Sequence, residues 1–230
     1  MPTRLVVNEQ NSLLQEQVNE RPPQPMALRI PARLFSILFH PVFIPLYVIA
    51  FLIKVVPYLF AGFTEGEKVM VMIRFAVLYI MFPLVTVLLL KALGFIQSFQ
   101  LKTQRDRIIP YVICMIYYFW VWYVIKNQPE FPQPVVQFTL AVFISSIIGL
   151  MSNTWFKISM HAMALGIALV FVASLGFTQD LNIGYYLSIA VFITGLVLTS
   201  RFIDSDHSEK EIYLGLLAGM AAQLAALWIA

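Results

Sequence analysis

Charge is what this chain has least of. Only 12% of its 230 residues are Asp, Glu, Lys or Arg, about half the ~25% usual in a soluble domain. Cysteine occurs once, at Cys114 inside an apolar run, so neither a disulfide framework nor a cysteine-based metal site can form within one chain. No carboxylate or His/Cys cluster has the spacing of a metal site, and neither a metal nor another cofactor is expected. Net charge is only +3, an excess that membrane topology explains and that argues for no nucleic-acid partner. Internal repeats and low-complexity tracts are lacking. The N-terminal stretch also lacks the pattern of a cleaved signal, because residues 1–33 are polar and the first oily run comes too late.

What the chain has in abundance is apolar surface. Hydrophobic residues make up 60%, with 19 Phe and 10 Met, and mean hydropathy is +0.81. Lipid, not water, is the solvent that suits such a composition. A hydrocarbon core of about 30 Å needs roughly 20 apolar residues per helix. That ruler predicts seven spans, at about 35–57, 69–93, 108–126, 134–152, 158–176, 183–203 and 211–229. The expected fold is therefore all-α: a multi-pass helical protein of the cell membrane, with about seven transmembrane helices and membrane lipids around it. A polar tail, flexible or lying on the surface, occupies 1–33, and the transmembrane domain occupies 34–230. Pro41 and Pro45 each remove a backbone donor from the first span, which predicts a kinked or partly re-entrant segment there.

With a cytoplasmic N-terminus, 11 of the 15 Lys and Arg residues fall inside, leaving Lys54, Lys68, Arg74 and Lys126 elsewhere. The positive-inside rule favours that orientation. In either orientation, alternation of spans puts the connections 2–3, 4–5 and 6–7 on one side. They carry LKTQRDRIIP (101–110), WFKISMHA (155–162) and SRFIDSDHSEKEIYLG (200–215). Lys102, Arg105, Arg107, Ser159, His161, Arg201, His207 and Glu211 thus share one face. Fixed cations around two imidazoles suit a dianion, and Arg offers paired donors matched to phosphate oxygens. One His can attack phosphorus while another protonates the leaving oxygen. Glu211, four residues after His207, falls on the same helical face and can orient it.

These residues resemble the signatures of the type 2 phosphatidic acid phosphatase (lipid phosphate phosphatase) superfamily. The third signature is similar to Ser200, Arg201, His207, Glu211 and Gly215, with Glu where the family has Asp. The second, Pro-Ser-Gly-His, resembles Ile158-Ser159-Met160-His161, which keeps Ser and His. The first resembles Lys102 to Pro110, with Ile109 at the Arg position. The similarity covers about residues 95–229 and implies a six-helix phosphatase-like core with one extra N-terminal helix. By that resemblance His207 is the nucleophile that forms a phosphohistidine, Glu211 orients it, and His161 is the acid for the leaving alcohol. Lys102, Ser159, Arg107 and Arg201 hold the phosphate of a lipid phosphomonoester or pyrophosphate substrate, without a metal.

Blander accounts exist for the same residues. Ser208-x-x-Glu211 is also a capping box. Lys102, Arg105 and Arg107 also suit topology anchors, and Asp204, Asp206 and Glu209 suit solvated positions. His40, before Pro41, reads as a hydrogen-bonded helix end, and Arg74 as a snorkelling or paired cation. Two other functions compete with hydrolysis: a catalytically degenerate protein that binds or transports lipid phosphates, and a helical scaffold whose basic rim meets anionic lipid.

Overall fold

The computed structural model describes residues 3–7, 13–17, 24–96, 104–179, 182–204 and 207–230. A short antiparallel hairpin, β1 (Thr3–Val7) and β2 (Leu13–Gln17), pairs Thr3 with Gln17 and Val7 with Leu13. Every other regular element among the described residues is helical. Helix α1 (Met26–Leu38) begins well before the expected domain boundary at 34. Pro25 stands at its N-cap, and the MALRI that follows is rich in good helix formers, so the Pro cluster of the tail ends one residue before the helix.

The expected first span of 35–57 is not one continuous helix. A turn at residues 41–43 separates α1 from α2 (Ile44–Val55), and a 3₁₀ turn at Pro57–Phe60 follows. Pro41 lies in the break, whereas Pro45 sits in the first turn of α2, where its missing N–H costs nothing. Twelve residues rise about 18 Å, short of a hydrocarbon core. Among the described residues, six helices are long and apolar enough to cross a membrane: Glu65–Ala92, Arg107–Lys126, Gln133–Ser152, Met160–Thr178, Gly184–Asp204 and Glu209–Ile229. The first of these comprises α3 (Glu65–Ala76) and α4 (Phe82–Ala92), joined through a π-helical turn at Val77–Met81. Pro83 would otherwise drive its ring at the carbonyl of Tyr79, and a π turn at this point relieves that clash. The others are α5 (Gln104–Lys126), α6 (Gln133–Ser152), α7 (Met160–Thr178), α8 (Gly184–Asp204) and α9 (Glu209–Ile229).

Helix α7 is the hub, packed chiefly on α9 and also on α8 and α6; α5 and α9 flank α6, and α1 lies along α8. Leu84, Leu89, Phe192 and Leu217 point outward, as expected where lipid is the solvent. Lipid tails are as apolar as Leu, so helices in a membrane are held by close packing and interhelical hydrogen bonds. Glycine provides that closeness here. A Cβ on Gly219 would strike the Met163 backbone, one on Gly166 the Leu216 backbone, and one on Gly215 would stand 2.7 Å from the Ser159 carbonyl oxygen. Gly215-x-x-x-Gly219 on α9 thus faces Ala162-x-x-x-Gly166 on α7, a small-residue seam on both sides. The backbones approach so closely that the Ser159 N–H donates to the Glu211 carbonyl across the pair (3.2 Å). That bond fixes the start of α7 level with the start of α9, where the predicted site residues lie.

Candidate functional site

The site assembles where α7 and α9 begin and α8 ends. At the start of α9 the Ser208 N–H donates to Glu211 Oε2 (2.8 Å) and the Glu211 N–H donates to Ser208 Oγ (3.3 Å). The same Oε2 lies 3.3 Å from His207 Nδ1. Capping and histidine orientation are therefore not rival accounts of Glu211, since one oxygen does both. His207 Nδ1 is also 3.0 Å from the Lys157 carbonyl oxygen. A carbonyl only accepts, so Nδ1 carries the hydrogen and the lone pair of the neutral ring is on Nε2.

Both members of this pair are buried, His207 at 6% exposure and Glu211 at 4%. Burial lowers the His207 pKa from its ordinary 6.5; Arg107 and Arg201 act in the same direction, and the Glu211 hydrogen bond and charge oppose them. Desolvation wins over the carboxylate, so His207 is neutral at pH 7 and keeps the lone pair that a nucleophile needs.

Ser159 occupies the N-cap of α7, yet its side chain makes no capping bond. It is fully buried and its Oγ has no hydrogen-bond partner. A buried hydroxyl in that condition is costly unless something else meets it. His161, in the first turn of α7, lies with Nε2 3.0 Å from the carbonyl oxygen of Ser36 in α1. By the same logic, Nε2 carries the hydrogen. The ring of His40 packs edge-on against His161, with centroids 5.1 Å apart and planes at 85°.

Arg201, in the last turn of α8, lies near enough for its charge to act on all three imidazoles. Arg107, near the start of α5, acts on His207 and on Tyr111. The structure thus draws His207, Glu211, Ser159, His161, Arg201 and Arg107 to one region. Lys102 and the side chain of Arg105 lie outside the described residues.

One expectation needs correction. Asp204 is not solvated: its carboxylate is 10% exposed and receives Arg29 at 3.3 Å and Arg33 at 3.1 Å. His40 is hydrogen-bonded at its helix end as expected, accepting the Val42 N–H at 3.5 Å, and its ring also packs on His161. Sequence reasoning also missed Ser36 and Lys157, which act through backbone carbonyls that no side-chain signature announces. Lys157 is itself buried at 8% exposure, and its charge acts on Glu211. At Met160 the side chain meets Tyr111, whose hydroxyl donates to the thioether (2.7 Å). Ile109 is 37% exposed on α5. Among the described residues no group of three or more His, Cys, Asp or Glu is placed to hold a metal.

No protein-family model, curated protein or solved structure matches this chain.

Proposed function

We propose that this protein is a phosphatase of lipid phosphates in the cell membrane, resembling the type 2 phosphatidic acid phosphatases and working through a phosphohistidine. The observation that carries this reading is His207: buried, neutral, and held at Nδ1 by a carbonyl and a carboxylate within reach of two arginine charges. In the reaction, the Nε2 lone pair attacks phosphorus while the bond from phosphorus to the lipid oxygen breaks. His161, its Nε2–H retained by Ser36, takes up a proton at Nδ1 together with the incoming phosphate dianion, whose charge favours the imidazolium, and passes that proton to the departing oxygen. Water then displaces the phosphoryl group from Nε2 and releases inorganic phosphate. Positioning and charge are most of what phosphoryl transfer requires. Arg201 and Arg107 supply charge to the equatorial oxygens, and the unpartnered Ser159 hydroxyl meets one of them. Lys102 belongs to the same phosphate set by resemblance. In this reading the broken α1–α2 segment is the seventh crossing, added to a six-helix core.

A second reading, binding or transport without turnover, is favoured by Ile109. It replaces an Arg of the resembling signature and leaves one bidentate donor fewer. The deciding experiment is phosphate release from phosphatidate and polyprenyl diphosphate by the purified protein in detergent. We expect release that falls at least ~10³-fold in His207→Ala. Saturable binding without turnover, lost in Arg201→Ala, establishes the second reading instead.

A further inference from the structure

Beside the polar site runs an apolar cleft bounded by α2, α5, α6 and α7. Ile44 of α2, Phe138 and Val142 of α6, and Met160, Met163 and Ile167 of α7 line it. Two serines on the α6 wall offer no open donor, because Ser145 Oγ donates to the Val142 carbonyl (2.7 Å) and Ser146 Oγ to the Phe143 carbonyl (2.6 Å). Apart from Tyr118 of α5, the lining is therefore apolar in chemistry.

Its position gives it meaning. Met160 and Pro41 line it, and their neighbours in the chain are His161 and His40, whose rings pack with centroids 5.1 Å apart. From Met160 to Ile167 the wall descends α7 by about 10 Å, at 1.5 Å per residue. An apolar shaft whose wall begins at the residues next to the paired histidines matches one molecule with two ends: an anionic head and a hydrocarbon tail. Met160 is the hinge of this arrangement. The resembling signature has Gly at that position; here the side chain is pinned by the Tyr111 hydroxyl and becomes part of the tail wall.

We infer that the cleft is the tail-binding site of the phosphate-bearing lipid, so that head and tail are read together and the substrate is chosen partly by its chain. The inference rests on the proposed lipid phosphate reading for the identity of the head, but not on turnover. In a membrane the tail gains nothing from leaving water, so selection comes from fit against Phe138, Val142, Met163 and Ile167. Bulk in the shaft is the natural way to remove it.

The test uses the full-length protein in detergent and a lipid phosphate carrying a photoactivatable diazirine at mid-tail. After irradiation, labelled peptides should map to residues 138–146 and 160–167. Ala164→Leu fills the cleft from α7, and Val142→Phe fills it from α6; each should cut that labelling by about tenfold. If either variant fails to fold, the wild-type label map still decides. Labelling spread over the outer faces, such as Leu84 and Leu89, overturns the inference. So does equal cleft labelling by the same lipid bearing a hydroxyl head in place of phosphate, which makes the cleft a resting place for any bulk chain. Cleft labelling with no phosphate release refutes hydrolysis alone and leaves the tail site standing. Release with labelling elsewhere refutes the tail site alone.

Discussion

Glu211 joins two tasks on one carboxylate oxygen, and the two can be separated by chemistry. Gln at the same position keeps the capping-box geometry but removes the charge that supports an imidazolium or a developing phosphohistidine. Glu211→Gln should therefore unfold near the wild-type temperature while losing phosphate release. Glu211→Ala should lose release and also about 1 kcal/mol of stability, read as a lower denaturation midpoint. Equal stability losses in the two variants show that the charge, not the cap, holds the start of α9. His207 makes a companion prediction in pH. Its folded pKa is lowered by burial from the ordinary 6.5, so the unfolded chain binds the proton more readily. The stability contribution is complete above pH 6.5 and is lost as pH falls from there through the folded pKa. Melting temperature followed between pH 8 and pH 5 should drop on the acid side in wild type and drop less in His207→Gln. Parallel curves overturn the assignment to His207.

At the level of helices, hydropathy made the six long apolar elements legible, because a 20-residue apolar run has few other uses. The break between α1 and α2 was legible only as a warning from Pro41 and Pro45, since two prolines mark a disturbance without saying whether the chain bends or turns. The order of the three polar connections put His161, Arg201 and His207 on one expected face, and in the structure the three act on one another where α7 and α9 begin and α8 ends. His40 and Ser36 could not be found that way. His40 lies outside the region of resemblance, and Ser36 contributes a backbone carbonyl, whose use depends on which helix lies beside it. The glycine seam was half visible: Gly215 stood in the signature, but its partners Gly166 and Gly219 acquire meaning only when α7 meets α9. Gly219→Ala puts a methyl into the Met163 backbone, and overpacking of that kind costs about 1–3 kcal/mol. Because the seam also sets the level of Ser159 against Glu211, ligand binding should weaken along with the melting temperature. Gly195→Ala, inside α8 with open space around it, is the control: it should leave binding unchanged and raise the melting temperature slightly, because Ala is the better helix former.

For the whole molecule, the count of crossings decides on which side the two ends of the chain lie. Single-cysteine labelling after replacement of Cys114 should report one compartment for positions in 95–105, 153–157 and 204–210, and the other compartment for 64–67 and 127–133. A label in the N-terminal tail then fixes the crossing number. The compartment of the 95–105 loop means that α1–α2 crosses, and the opposite one means that it enters and returns. A split among the first three regions removes the shared face on which the site depends.

The contacts of α1 also carry a schedule. A chain is made from its N-terminus at about 5–20 residues per second, and Arg29 precedes its partner Asp204 by 175 residues. The two arginines therefore wait about 9–35 s for their carboxylate, with only water and lipid headgroups for company. Ser36 meets His161 earlier, after 125 residues. Helix α1 is thus made before the helices it joins and is among the last to be secured. Its carbonyl finds the imidazole first, and its arginines close on Asp204 only as α8 is completed.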